Sequence, residues 1–174
     1  QEHPRPLSLA APGRPTAVAV LDLDSNGQMD LVANAPLDQR LTIYYANSEG
    51  QYSVRTNRET PGRRAADLAA VDIDRDGRED LLYVDEIRGD LVLLRQFGPG
   101  EGIGLSESFW AGIEEASSLQ VVDRDGDGWQ DVVVAHRGGD FLAWYRNVAG
   151  QLVFDGFTPT GDGPERLVTL RDPL

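Results

Sequence analysis

The sequence contains no cysteine and no lysine, one methionine (Met29) and two histidines (His3 and His136). Without cysteine there is neither a disulfide framework nor a thiolate metal site. Without lysine, all 16 basic residues are arginine, and 29 acidic residues outweigh them to give a net charge of −13. A surface of that sign cannot neutralise phosphates, which excludes nucleic acid as a partner. Hydrophobic residues make up 40% of the 174, yet no apolar run approaches the roughly 18 residues a membrane-spanning helix needs. No membrane span is expected. No signal-peptide pattern opens the chain, and the start at Gln1 is expected to reflect processing or excision from something longer.

What is present is an internal repeat. The segment from Val20 to Val32 recurs from Ala70 to Leu82 and again from Val121 to Val133, and its leading aspartates are Asp22, Asp72 and Asp123. Their separations of 50 and 51 residues lie in the range of propeller blades. Each repeat reads as four short strands divided by Gly, Pro, Asn and Asp turns. In the first, these are 16–21, 31–35, 41–46 and 52–56; in the second, 67–71, 81–85, 90–96 and 105–110; in the third, 118–122, 132–136, 140–146 and 151–157. Runs such as Leu91-Val92-Leu93-Leu94 and Val132-Val133-Val134 suit strands buried on both faces. Residues 111–118 hold a few helix formers in too short a run to matter.

The expected fold is all-β: three four-stranded antiparallel blades, with an extra outer strand before them and an extra inner strand after them. Residues 1–15 form the outer strand and linker of a preceding blade. The three blades occupy 16–64, 65–115 and 116–165, and 166–174 begins a following one, with Asp172 placed 49 residues after Asp123.

Each repeat carries the pattern Asp-x-Asp-x-Asp/Asn-Gly-x-x-Asp, and its features match what calcium requires. The ion takes six to eight hard oxygens at about 2.3–2.6 Å, and alternating acidic residues in a tight loop converge on one centre. The first loop offers the side chains of Asp22, Asp24, Asn26 and Asp30 and the carbonyl of Gln28, with Gly27 allowing the reversal. The second offers Asp72, Asp74, Asp76, the Arg78 carbonyl and Asp80; the third, Asp123, Asp125, Asp127, the Trp129 carbonyl and Asp131. An EF-hand starts alike but needs a glutamate at position twelve, where this chain has Ala33, Tyr83 and Val134.

Solvated β-turns also favour Asp, Asn and Gly. Three copies with every ligand position filled argue against that plainer reading. So does the charge, because eleven carboxylates packed into three small loops would repel one another without a cation. Three calcium ions bring −13 to −7, an ordinary surface charge. Asn26 removes one negative charge, so the first site is expected to bind more weakly than the others. Loops of extracellular modules bind at about 10⁻⁴–10⁻³ M, which points to an extracellular or cell-surface location.

Together these loops and the segment Phe141-Leu142-Ala143-Trp144-Tyr145-Arg146-Asn147 resemble the FG-GAP and VCBS repeats of integrin α-subunit propellers and bacterial secreted proteins. The resemblance covers nearly the whole chain. It implies four-stranded antiparallel blades with the calcium loop between first and second strands. The chain departs from the family in number, since closed propellers need about four to eight blades. Three blades and two strays are expected either to be part of a longer propeller or to be completed by further copies, in a filament if the contact does not close.

No enzymatic chemistry is expected. His136 and His3 lie beside no nucleophile; Ser106, Ser108, Ser117 and Ser118 lack an elbow context; and the glycines from Gly98 to Gly104 precede no helix. His136 reads as an ordinary surface or satisfied histidine. Trp110, Trp129 and Trp144 are the candidates for a carbohydrate platform, with Trp144 expected in blade packing and Trp129 partly exposed. The leading expectation is a calcium-binding, non-enzymatic structural or adhesive module that takes a protein partner, possible copies of itself included. The alternatives are a lectin-like fragment with a glycan ligand and an accessory domain of a secreted enzyme.

Overall fold

The computed structural model describes residue 9 and residues 14–35, 37, 39–59, 64–96, 98, 103–110 and 115–168. Among them the chain forms twelve strands and no α-helix. The first blade is β1 (Val18–Leu21), β2 (Asp30–Ala35), β3 (Arg40–Ala46) and β4 (Tyr52–Glu59). The second is β5 (Ala65–Val71), β6 (Asp80–Asp85), β7 (Asp90–Gln96) and β8 (Ile103–Trp110). The third is β9 (Ala116–Val122), β10 (Asp131–His136), β11 (Phe141–Val148) and β12 (Gln151–Pro159). Each is a separate antiparallel sheet whose strands lie in chain order. No sheet closes into a barrel, and the architecture is that of an incomplete propeller.

The repeat is kept in register as well as in sequence. Leu21 faces Asp30, Val71 faces Asp80 and Val122 faces Asp131 across the first hairpin of each blade. The same register places each acidic loop at the same end of its blade. The pairing of third and fourth strands slips at equivalent places in the first and third blades, after Ile43 and after Trp144, and one residue later in the second, after Leu94, which adds local twist where the outer strand leaves the stack.

Alternation along the strands of the second blade supplies two cores at once. Leu81, Tyr83, Val92 and Leu94 pack with Leu21, Leu23, Val32, Leu41 and Ile43 of the first blade. Leu82, Val84, Leu91 and Leu93 pack with Leu119, Val132, Val134, Ala143 and Tyr145 of the third. That explains why the middle of β6, Leu81 to Val84, is buried on both faces and reads as an apolar run rather than an alternating one. Each such side chain contributes about 1.5–3 kcal/mol on burial.

Polar clasps join the inner strands. Asn34 donates to the carbonyl of Ala65 (2.8 Å), and Asp67 accepts from the Ser118 hydroxyl (2.8 Å) and the Leu119 amide (3.1 Å). The expected outer strand and linker at 1–15 falls, apart from Leu9, Arg14 and Pro15, outside the described residues. Of the expected final inner strand, Arg166 to Val168 join no ladder, and 169–174 lie outside the described residues. Leu167 nevertheless donates its amide to Ser118 Oγ (3.3 Å), so this segment lies beside β9 much as β9 lies beside β5.

Candidate metal centres

Each acidic loop begins where an inner strand ends and returns directly into the second strand. The residue at loop position four has left-handed backbone in every copy: Ser25 (φ 57°), Arg75 (φ 60°) and Gly126 (φ 76°). Position six, always glycine, does too, at 83°, 87° and 87°. Two left-handed residues so close together turn the chain tightly enough for its carboxylates to converge.

The side chains then cap the loop's own amides. Asp22 accepts from Asn26 (3.0 Å) and Gly27 (2.8 Å), Asp24 from Asn26 (3.2 Å), and Asn26 Oδ1 from Gln28 (2.7 Å). The second loop repeats this through Asp72, Asp74 and Asp76, whose Oδ1 accepts from Arg78 (2.9 Å). In the third, Asp123 accepts from Gly126 (2.8 Å), one position earlier, and from Gly128 (3.0 Å), Asp125 from Asp127 (3.2 Å), and Asp127 Oδ1 from Trp129 (2.8 Å).

The last aspartate of each loop is buried and spans two elements. Asp30 accepts from Leu23 in its own loop (2.9 Å) and from Ala46 at the end of β3 (2.8 Å). Asp80 does the same with Ile73 (3.4 Å) and Gln96 (2.9 Å), and Asp131 with Arg124 (3.1 Å) and Asn147 (2.8 Å).

One oxygen from each of Asp22, Asp24 and Asp30 lies within 4.8 Å of the others, and the same holds for Asp72, Asp74 and Asp76 and for Asp123, Asp125 and Asp131. Oxygens bound to one calcium at about 2.6 Å stand at most about 5.2 Å apart, so the three clusters fit that ion. Asp80 and Asp127 fall outside these tight groups. Burial is the main cause of a raised Asp30 carboxyl, and Asp24 and Asp22 add to it. Burial likewise pushes Asp80 up to about 6, against the lowering effect of the Gln96 amide. Glu79, at position eight of the second loop, is raised by burial and then by the charges of Asp22 and Asp72.

A pH dependence follows from these shifts. A carboxyl whose folded pKa lies above its ordinary 3.8 holds more protons folded than unfolded between those values, so stability falls as pH rises through that window. Calcium-free protein is expected to melt higher at about pH 5 than at about pH 7.5, and Asp80→Asn should flatten the difference. Scanning calorimetry in EGTA checks this; a higher melting temperature at the upper pH contradicts it.

The arginines treat the three loops differently. Arg95 pairs with Asp74 (2.8 Å) and with Glu107 (2.6 Å) and donates to the Gly150 carbonyl of the third blade (2.8 Å), while Arg78 pairs with Asp76. Among the described residues no arginine pairs with Asp123, Asp125 or Asp127. Arg75 instead lies over the Trp129 ring, 4.0 Å from its centroid.

Arg124 stands where the first two loops have the fully buried Leu23 and Ile73, and it is exposed. It pairs with Asp155 (3.1 Å) and lies 4.3 Å from the centroid of Trp144, which itself replaces Ile43 and Leu93. Both half-buried tryptophans therefore carry a guanidinium on one ring face. The Trp110 side chain lies outside what is described. His136 is fully buried and stacked on Phe141 at 4.9 Å, hence a core residue rather than a surface one.

Sequence reasoning passed over Gln96, Asn147 and Arg95, which reach a neighbouring blade. The repeat spacing could have flagged the first two: both lie 24 residues after the leading aspartate of their own loop. Residues 22–83 match the family model of the FG-GAP-like repeat, a span that starts at the first loop and runs through the second. No curated protein matches the chain.

Proposed function

We propose that this chain, whose residues 22–83 carry an FG-GAP-like repeat, is a calcium-binding, non-enzymatic structural module that works outside the cell as part of a larger propeller or assembly. The observation that carries the reading is the loop scaffold, repeated three times with a converging carboxylate cluster in each. Calcium would be held by Asp22, Asp24, Asn26 and Asp30, by Asp72, Asp74, Asp76 and Asp80, and by Asp123, Asp125, Asp127 and Asp131, with the Gln28, Arg78 and Trp129 carbonyls completing the sets. When bound, the ion supplies charge neutralisation and rigidity.

The extracellular setting is supported by the affinity class of such loops, about 10⁻⁴–10⁻³ M, which is matched to millimolar calcium. FG-GAP repeats are typical of extracellular, non-enzymatic modules that interact with proteins, and among the described residues no helix is long and apolar enough to cross a membrane. Completion by a further blade or copy is supported by the outer face of the first blade, which no described residue covers. Val18 and Val20 are 55% and 49% exposed there, whereas Leu68 and Leu119, the counterparts of Val18, are 7% and 1% exposed in the blade contacts.

Isothermal titration with calcium tests the reading: about three ions per chain with millimolar or tighter affinity are expected, and no heat of binding up to about 10 mM overturns it. The third site should be the tightest, because among the described residues no arginine side chain pairs with its four carboxylates. Asn26 weakens the first, and Arg95 and Arg78 compete at the second. Asp125→Asn is therefore expected to remove the highest-affinity step, and Asp24→Asn to leave it in place.

A further inference from the structure

The residue that ends the third strand touches two acidic loops at once. Gln96 gives its backbone amide to Asp80 Oδ1 of its own loop (2.9 Å). Its side-chain Nε2 crosses to the preceding blade, where it donates to the Leu23 carbonyl (2.9 Å), the Asp22 carbonyl (3.2 Å) and Ser25 Oγ (3.2 Å). Asn147 repeats the arrangement one blade on: its backbone amide goes to Asp131 Oδ1 (2.8 Å) and its Nδ2 to the Ile73 carbonyl (2.8 Å). Both side chains are buried, 2% and 1% exposed.

The peptides they grip are themselves tied to the loops. The Leu23 and Ile73 amides donate to Asp30 and Asp80. One line of hydrogen bonds therefore runs from Asp30 through Leu23 to Gln96, on to Asp80, through Ile73 to Asn147, and ends at Asp131. It joins the final carboxylates of all three loops. In the first blade the position of Gln96 and Asn147 is held by Ala46, whose backbone amide still reaches Asp30 but whose side chain can grip nothing.

We infer that Gln96 and Asn147 couple neighbouring calcium sites, so that loading one loop raises the affinity of the next. The inference rests on the proposed calcium binding. A cation that draws in a loop's last carboxylate fixes the amides bonded to it. One of these belongs to the residue whose side chain holds the preceding loop, and the other to the residue whose carbonyl the following blade holds. The ordering done by the first ion then need not be repeated for the second, which is a source of positive cooperativity. Couplings of this kind amount to about 5–150-fold in affinity.

Terbium luminescence sensitised by Trp129 reads the third loop most strongly, because Trp129 lies inside it, and an Asp123→Asn, Asp125→Asn control measures what an ion in the second loop, whose Arg75 lies over the same ring, adds to the signal. Disabling the second site with Asp72→Asn and Asp76→Asn, which retain Oδ1 as a backbone acceptor, is expected to weaken terbium binding at the third site by about 5-fold or more. On an Asn147→Leu background the same pair of changes should leave the third-site affinity unaltered. A third-site affinity that ignores the second-site changes in otherwise unmodified protein overturns the coupling, and this arm stands even if Asn147→Leu does not fold. Persistence of the effect in a folded Asn147→Leu protein overturns the assignment of the route. If unmodified protein binds neither terbium nor calcium, the failure is that of the calcium reading instead.

Discussion

Removal of calcium with EGTA is expected to lower the melting temperature by about 15–30 °C. At about 10 mM calcium, 100 times a dissociation constant of about 10⁻⁴ M, each site adds about 2.7 kcal/mol, so three sites counted separately add about 8 kcal/mol. For a chain of this size one kcal/mol moves the midpoint by about 2–4 °C. The effect is large because the total stability of a domain is only about 5–15 kcal/mol, and the clustered carboxylates of Asp22, Asp24 and Asp30 and their counterparts repel one another once the ion is gone. Differential scanning calorimetry with calcium, with EGTA, and with EGTA followed by excess calcium is the measurement. A melting temperature indifferent to all three treatments would mean that the loops are turns and nothing more.

The second large effect separates architecture from metal binding. Asp30→Ala is expected to destabilise the protein by about 3–5 kcal/mol even in EGTA, because it leaves the buried amides of Leu23 and Ala46 without an acceptor, at about 1–3 kcal/mol each, and opens a small void besides. Asp30→Asn, which keeps one acceptor oxygen, should fall between Asp30→Ala and the unmodified protein. Asp24→Ala should cost little in EGTA and act mainly by weakening calcium binding, since Asp24 is half-buried and caps a single exposed amide. Urea unfolding of the four proteins, with and without calcium, resolves the two contributions. Equal losses for Asp24→Ala and Asp30→Ala in EGTA would deny the last aspartate its role as a brace.

Much of the fold could be read from the sequence because the repeat restates it three times. The spacing from Asp22 to Asp72 to Asp123 fixed the blade count, and alternation and turn residues placed the strands to within about two residues at most ends. The loops were legible for a local reason: Gly27, Gly77 and Gly128 answer a backbone demand within nine residues, and the capping bonds of Asp22, Asp72 and Asp123 stay inside the same turn. His136 was less legible. Its neighbours Val134 and Ala135 continue a buried strand, but a histidine at a strand end reads as either a surface or a satisfied residue until Phe141 is seen stacked on it.

What the sequence determined by itself was local: which residues bend into an acidic loop, which alternate into strands, and how often the unit recurs. These depend on backbone preferences and on contacts a few residues apart. The tertiary structure alone decided how the units act on one another. Gln96 reaches Leu23 across 73 residues and Asn147 reaches Ile73 across 74, while Arg95 spans Asp74 and the turn at Gly150. It also decided that Arg124 and Trp144 occupy a blade face that is Leu and Ile in the two preceding copies. The 24-residue offset from the leading aspartate marks Gln96 and Asn147 as equivalent positions but not what they touch, because each contact joins one repeat to the next, and only the stacking of the sheets brings the two ends within hydrogen-bonding distance.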